Sequence, residues 1–185
     1  MNNNRILFVD LDGTLIKEDL TNLAFFECLK KRPLKLFSYL IIFLFKGKAY
    51  LKEKISKDYI VPIDKLKFNK ASLNYVKMVK NHHRVVYLIS GSHQILVDQI
   101  DKHLKIFFES FGTRKNFNMI GLNKVQFIKD ELKILEFDYL GNSKQDLPIW
   151  SYTKKIIYTN ISNSLRKTIN STKLDKHEIK EDFSI

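Results

Sequence analysis

Short apolar runs that end in glycine or polar residues recur along the chain and predict buried β-strands. A strand that is buried on both faces of a parallel sheet reads as a continuous apolar run, so such runs are typical of α/β proteins. The first run, Ile-Leu-Phe-Val, ends at an acidic residue. The pattern predicts strands at residues 6–9, 85–89, 106–108, 137–140 and 154–159.

Between these runs, apolar residues recur every three or four positions, which predicts amphipathic helices. Pro33 and Gly47 interrupt this pattern. Strands that alternate with helices indicate an α/β fold, a doubly wound parallel sheet with right-handed crossovers. The predicted helices cover residues 20–29, 34–56, 71–80, 95–104, 124–135 and 164–170.

The first two predicted strands are separated by roughly residues 18–78, far more than one crossover helix requires. We therefore expect a small helical cap at 18–78, inserted after the first strand and lying over the strand ends of the core. The core itself would comprise residues 1–17 and 79–160. Residues 161–185 are mostly polar and predict a short C-terminal helix and a tail.

Composition is consistent with one sizeable core and an appended cap, since the chain has 185 residues and is 44 % apolar. The single cysteine, Cys28, excludes an intramolecular disulfide and lies in an apolar segment typical of an inert core thiol. The first apolar stretch is four residues long and lacks the features of a secretory signal. We expect a cytoplasmic protein.

The net charge of +12 comes from one segment, because residues 30–84 contain 15 Lys and Arg and three acidic residues. This segment also contains residues 34–45, which are apolar at ten of twelve positions and are flanked by lysines. The run is shorter than the roughly 20 residues that a membrane-spanning helix needs. It predicts either a buried helix or a helix at a membrane surface, with its lysines toward anionic headgroups.

Two acidic residues, Asp10 and Asp12, follow the first strand directly. Residues two apart on a strand point to the same side, and ligands of open α/β sheets bind at the carboxyl ends of the strands. Two adjacent carboxylates repel each other unless a cation lies between them or one holds a proton. The pair therefore predicts a divalent metal site.

The sequence Asp-Leu-Asp-Gly-Thr-Leu at residues 10–15 resembles the first motif of the haloacid dehalogenase (HAD) superfamily of phosphohydrolases. The resemblance implies an HAD-like, Rossmannoid fold and a Mg²⁺ cofactor. It also implies that Asp10 attacks phosphorus to form an aspartyl phosphate and that Asp12 moves protons. Thr14 would belong to the substrate-binding part of this motif.

Three later segments match the same superfamily in the expected order. The resemblance assigns phosphate binding to Ser90 and Gly91 after the second strand, where a hydroxyl and backbone N–H groups can hold phosphoryl oxygens. It assigns a charge-neutralising role to Lys124, with Lys129 as the reserve candidate. It places Asn142 and Asp146 with Asp10 and Asp12 as metal ligands, although Asn142 stands where the superfamily has an acid.

One subgroup resembles the chain more closely, the HAD domain that precedes membrane prenyltransferases of the UbiA type. The similarity rests on Lys-Arg-Pro-Leu at 31–34, the apolar helix, residues 45–52 and the segment 141–150. Gly-Asn-Ser at the fourth motif also occurs in that subgroup. The basic and apolar composition of the predicted cap suggests a lipid phosphate as substrate, and the resemblance suggests a membrane prenyltransferase as a partner.

The leading hypothesis is a Mg²⁺-dependent phosphomonoesterase for a phosphorylated small molecule or an amphiphilic, polyprenyl-linked phosphate. An anionic membrane surface is a candidate partner, so the cytoplasmic protein would be peripherally membrane-associated. One alternative is an HAD-fold adaptor at a membrane, whose metal site is weakened by Asn142. Another is a nucleic-acid 3′-phosphatase, which ranks last because the positive charge accompanies an apolar helix and not an aromatic groove.

Overall fold

The protein is built around one six-stranded sheet in which all neighbouring strands are parallel. The computed structural model describes residues 5–31, 33–57 and 59–183, without the side chains of residues 35 and 36. The strand order is β3-β2-β1-β4-β5-β6. The strands are β1 (Ile6–Val9), β2 (Val86–His93), β3 (Glu109–Thr113), β4 (Phe137–Gly141), β5 (Lys155–Thr159) and β6 (Asp175–Ile179).

Helices cover both faces of this sheet. Along β1, Leu7 and Val9 face one apolar cluster, whereas Phe8 faces the other. Since neither side meets water, the strand is apolar throughout, and the predicted doubly wound α/β fold is confirmed. The helices are α1 (Leu20–Lys31), α2 (Lys35–Ser56), α3 (Lys70–Asn81), α4 (Gln94–Leu104), α5 (Leu122–Gln126), α6 (Leu147–Trp150) and α7 (Asn163–Asn170).

The insertion after β1 forms the predicted helical cap, which contains α1 and α2. Gly47 interrupts α2 with a φ of 77° and a ψ of 177°, so two helical halves meet there at a kink. Glycine suits this position because a side chain at positive φ is strained. In the half after the kink, Ile55 is buried in the core cluster. Arg32 and Asp58, used above in a motif and a charge count, lie outside the described residues.

The predicted strand at 106–108 is wrong, because β3 begins at Glu109. Ile106 and Phe107 pack into the core below α4, and Phe108 is exposed. The strand itself has the weakly apolar sequence Glu-Ser-Phe-Gly-Thr. The helix predicted at 124–135 is also shorter, since α5 continues into one π-helical turn (Phe127–Glu131) and ends there.

A tail after the last helix was also a wrong expectation, because residues 175–179 form β6 at the edge of the sheet. β6 pairs in parallel with β5, in a register that places Ile157 opposite His177. Only Ile179 among its five residues is buried. An edge strand that faces water needs few apolar residues, so the strand carries no apolar run.

Candidate active site

The carboxyl ends of β1, β2 and β4 meet around a cleft of about 360 Å³. β1 is the central strand of these three, and Asp10 and Asp12 follow it directly. The cap contributes residues of α1 and α2 to the lining of the cleft. Several of the lining residues were predicted from the sequence, namely Asp10, Asp12, Gly91, Lys124, Asn142 and Asp146.

Asp10 forms a buried ion pair with Lys124. The Lys124 Nζ lies 2.6 Å from the Asp10 Oδ1, and both residues are almost completely buried. Burial raises the pKa of Asp10 to about 7; the nearby charges of Asp146 and Asp12 raise it too, whereas Lys124 opposes the shift. Lys124 therefore stabilises the ionised carboxylate in a site that otherwise disfavours negative charge.

Tyr139, which the sequence reasoning missed, connects Lys124 to Asp146. Its hydroxyl group accepts a hydrogen bond from the Lys124 Nζ at 2.8 Å and donates one to the Asp146 Oδ1 at 2.8 Å. Burial, followed by the two nearby carboxylates, raises its pKa well above the usual value, so the phenol stays protonated. A tyrosine inside a fully buried strand was the available signal, because its hydroxyl group needs a partner there.

Asp146 is held by the turn that follows β4. Its Oδ2 accepts hydrogen bonds from the backbone N–H groups of Asn142 and Ser143, at 3.0 and 2.9 Å, and from the Ser143 hydroxyl at 3.0 Å. The Asn142 side chain lies beside Gly13, where a Cβ would be 2.1 Å from the Asn142 Nδ2. Gly13 also has a φ of 77°, so both space and backbone conformation require glycine there.

Asp12 faces the cap and the end of β2. Its Oδ1 accepts a hydrogen bond from the backbone N–H of Leu20 at 2.9 Å, and its Oδ2 accepts from the hydroxyls of Ser90 and Ser92, each at 2.8 Å. Burial, and secondly the charge of Asp19, raise the pKa of Asp12. A raised pKa favours the neutral acid, the form that can donate a proton to a leaving group.

Two predicted phosphate-binding residues lie behind the aspartates. The Thr14 hydroxyl donates to the Asp10 Oδ2 at 3.2 Å, and the Ser90 hydroxyl donates to Asp12; both residues are fully buried. The backbone N–H groups of Gly91 and Ser92 do not lie at a helix start either. Both residues belong to β2, which continues through His93, and α4 begins at Gln94. Of the predicted phosphate loop, Gly91 lines the cleft.

The cap contributes two lysines that the sequence reasoning did not assign to the site, Lys48 and Lys52. The Lys52 Nζ donates to the Gly91 backbone oxygen at 2.6 Å and to the Asn118 Oδ1 at 3.0 Å. Both acceptors are neutral, and burial lowers the pKa of Lys52. The available signal was the spacing of Lys48 and Lys52, since residues one helical turn apart lie on the same face of α2.

Four further residues lie away from the chemistry, two of which, Lys129 and Cys28, were considered from the sequence. The reserve candidate Lys129 contacts the Tyr152 ring, with its Nζ 3.9 Å from the ring centroid. Cys28 packs beside the core cluster. His93 caps α4, because its Nδ1 accepts a hydrogen bond from the Ile95 N–H. Trp150 is buried beside the fourth motif and donates to the Tyr139 backbone oxygen at 3.3 Å.

The oxygen donors of the cleft fit a Mg²⁺ ion. In the part of the chain that the structure describes, no three His, Cys, Asp or Glu side chains group as a metal site by themselves. Mg²⁺, however, usually retains several waters and needs only one or two carboxylates. Asp10 and Asp146 supply these, and the Asn142 amide oxygen can serve as a third donor. The like charges that raise the pKa of Asp10 also favour a cation here.

Comparison with known proteins identifies one sequence relative and several structures of similar fold. No model of a known protein family matches the chain. An uncharacterized protein of Sinorhizobium fredii, y4nM, is 31 % identical over 144 residues. This match covers 78 % of the chain and 28 % of the relative, so the chain spans little more than a quarter of that protein's length.

Three of the similar structures share 15–16 % identity with the chain. A Bordetella pertussis protein of unknown function has a TM-score of 0.66, covering 94 % of this chain and 98 % of that one. An HAD-family hydrolase of Salmonella enterica, t0658, has a TM-score of 0.64, covering 97 % of this chain and 68 % of that one. A phospho-aspartyl intermediate analogue of phosphoserine phosphatase has a TM-score of 0.59, covering 95 % and 93 %. The parallel sheet, the strand order and these similarities together show that the protein has the HAD-like, Rossmannoid fold.

Proposed function

We propose that the protein is a Mg²⁺-dependent phosphomonoesterase that works through an aspartyl phosphate on Asp10. The observation that carries the proposal is the buried contact of 2.6 Å between Asp10 and Lys124, with Asp12 two residues away in the same cleft. Such an arrangement supplies a carboxylate nucleophile, a fixed cation and a proton donor at one point.

In the first step, the Asp10 carboxylate attacks phosphorus and the bond from phosphorus to the ester oxygen breaks. The leaving oxygen takes a proton from Asp12, and the acyl phosphate remains on Asp10. In the second step, Asp12 accepts a proton from a water molecule that attacks phosphorus. Inorganic phosphate leaves, and the Asp10 carboxylate and protonated Asp12 are restored.

We assign proton transfer to Asp12, because its raised pKa favours the neutral acid, the form that can donate to the leaving oxygen. Ser90 and Ser92 orient its carboxyl group, and Thr14 orients that of Asp10. Asp10, Asn142 and Asp146 are then the residues that would hold Mg²⁺. When bound, the ion would neutralise the negative charge shared by the phosphoryl group and Asp10.

We propose an amphiphilic phosphate, such as a polyprenyl-linked sugar phosphate, as the substrate. Lys48 and Lys52 support this proposal, because they add positive charge to the cleft besides the lysine that contacts Asp10. A second acidic group on the substrate, such as a phosphodiester, would complement them. The resemblance to the domain that precedes UbiA-type prenyltransferases agrees with such a substrate and suggests a prenyltransferase as partner.

Hydrolysis of a generic aryl phosphate by the purified protein tests the proposed reaction. We expect turnover that stops on addition of a chelator and returns with Mg²⁺. Asp10→Asn keeps the size of the side chain but removes the nucleophile, so turnover should fall by about a thousandfold or more. The matched control is Asp130→Asn, which changes an exposed carboxylate and should leave turnover unchanged.

Two results would contradict the proposal. One is an Asp10→Asn variant, free of the parent protein, that hydrolyses the ester at the parental rate. The other is turnover that is insensitive to the chelator.

A further inference from the structure

The half of α2 before the kink exposes an unusually large apolar surface. Seven large side chains, at the residue that precedes α2 and along this half, are between 40 % and 94 % exposed. We call this surface the outer face of α2; it consists of Leu34, Phe37, Leu40, Ile41, Phe43, Leu44 and Phe45. Contiguous apolar patches of this kind are rare on soluble monomers and mark interaction sites.

The opposite side of this half-helix is already packed on the protein. Tyr39 is buried and Ile42 packs against the core cluster, and the Tyr39 ring lies 6.5 Å from the Phe25 ring. A helix at a water-exposed surface normally presents polar residues on its outward side. Here the outward side is apolar as well, so the outer face matches an environment other than water.

The charges around the outer face show which environment that is. Lys30 and Lys31 end α1 just before it, and Lys46 follows it. The apolar helical part, residues 35–45, is about 16 Å long, roughly half the thickness of a bilayer core. No helix in the described ranges is long and apolar enough to cross a membrane. Basic residues at both ends favour a helix that lies parallel to an anionic surface.

We propose that the outer face of α2 docks the protein on an anionic lipid bilayer. The apolar side chains enter the boundary between headgroups and acyl chains, and the flanking lysines contact anionic headgroups. Tyr39 and Ile42 remain against the core, so the half-helix docks without unfolding. This docking does not depend on the proposed phosphatase reaction.

Because the two halves of α2 meet at the kink at Gly47, docking by the outer face places the cleft close to the bilayer. The half of α2 after the kink begins with Lys48 and places Lys48 and Lys52 in the cleft wall. The cleft therefore opens within one or two helical turns of the docked surface. If the proposed phosphatase function holds, the cleft can receive a phosphate whose lipid chain stays in the bilayer.

Co-sedimentation with vesicles tests the docking. We expect the protein to bind vesicles of phosphatidylcholine with about 30 % phosphatidylglycerol at low salt, and to bind pure phosphatidylcholine vesicles several-fold less. Raising the salt concentration should weaken binding to the anionic vesicles. The double variant Phe37→Asp/Leu44→Asp should reduce binding to them at least about tenfold.

The chain offers a closely matched control, Phe108→Asp/Leu135→Asp. Both doubles replace one Phe and one Leu of similar exposure, 72 % and 68 % at the outer face against 72 % and 72 % elsewhere. The control double should bind vesicles like the parent protein. Equal binding by the two doubles would overturn the proposal, as would equal binding of the parent to neutral and anionic vesicles.

A second copy of the chain is the competing occupant of the outer face. Analytical ultracentrifugation without lipid distinguishes the two. A parent protein that is dimeric, a Phe37→Asp/Leu44→Asp variant that is monomeric, and no vesicle binding by either would show that a second copy covers this face. That result would overturn docking on a bilayer.

Discussion

Tyr139 lies inside β4, and its hydroxyl group contacts two charged side chains of the cleft. It accepts from Lys124 and donates to Asp146, so it links the residue that pairs with Asp10 to a proposed metal ligand. Each of these hydrogen bonds involves a charged group and is therefore among the stronger kind. Tyr139 acts through Lys124 and Asp146 and is thus a positioning residue.

Tyr139→Phe should lower kcat about tenfold to a hundredfold, because it removes hydrogen bonds to charged groups worth about 1.5–3 kcal/mol. KM should change less than kcat, since the ring still fills its place. Steady-state kinetics with an aryl phosphate and excess Mg²⁺ measure both. Tyr87→Phe, on β2, is the control and should match the parent. Unchanged kinetics of Tyr139→Phe would show that the hydroxyl does not position the site.

Asn142→Asp should increase the affinity for Mg²⁺, because it places a third carboxylate near the proposed ion. A gain of about 1 kcal/mol corresponds to a half-saturating concentration about fivefold lower. Titration of turnover with Mg²⁺ measures the change, and Asn116→Asp, at an exposed position, is the control. An unchanged or higher half-saturating Mg²⁺ concentration would mean that the Asn142 side chain does not coordinate the ion.

At the scale of elements, α2 performs two tasks that Gly47 separates. The half before the kink carries the outer face, and the half after it brings lysines to the cleft and packs Ile55 in the core. An unbroken helix would keep both halves in one line. The kink therefore lets one helix face two different environments.

Lys52→Met should weaken binding of substrates that carry a second acidic group, because it keeps the length of the stem and removes the charge. For an aryl phosphate with a carboxylate, KM should rise about tenfold, equivalent to about 1.4 kcal/mol. The same aryl phosphate without the carboxylate should show less than about a twofold change in KM. Lys54→Met, at an exposed position of the same helix, is the control. An equal rise for both substrates would argue against selection by charge.

At the scale of the whole molecule, the C-terminal segment secures the sheet edge and the start of α3. The Asp182 backbone oxygen accepts from the Lys70 N–H at 2.7 Å, and the Asp182 N–H donates to the Asn69 Oδ1 at 3.1 Å. Asn69 in turn caps α3 and donates to the Thr159 hydroxyl at 3.2 Å. The segment thus joins two elements that are distant in sequence.

A chain that stops after Lys173 should be less stable than the 185-residue chain. It loses the burial of Ile179 and the stacking of His177 on Tyr75, together at least about 3 kcal/mol. Thermal unfolding should show a Tm about 6–12 °C lower. A chain that stops after Phe183 is the control. Equal Tm values for the two truncated chains would show that β6 adds no stability.

The parallel α/β fold could be predicted from the apolar runs alone, because strands buried on both faces must be apolar throughout. The sequence also located the insertion after β1 and the carboxylates that follow that strand. The prediction of strand β3 failed, since its residues are weakly apolar, and β6 was missed because an edge strand tolerates Asp, Lys, His and Glu. A strand with few buried residues carries no apolar pattern, so it cannot be predicted from the hydrophobicity of its sequence.

The contacts of the individual side chains in the cleft depend on long-range packing and became visible in the folded structure. The sequence favours Lys124 and leaves Lys129 as the reserve candidate; in the structure the Lys124 Nζ lies 2.6 Å from Asp10, whereas Lys129 contacts Tyr152. The apolar run of α2 was compatible with either a buried or a surface helix, and the structure exposes most of it. Long-range packing sets these contacts and exposures, and residue order alone does not specify which distant segments pack together.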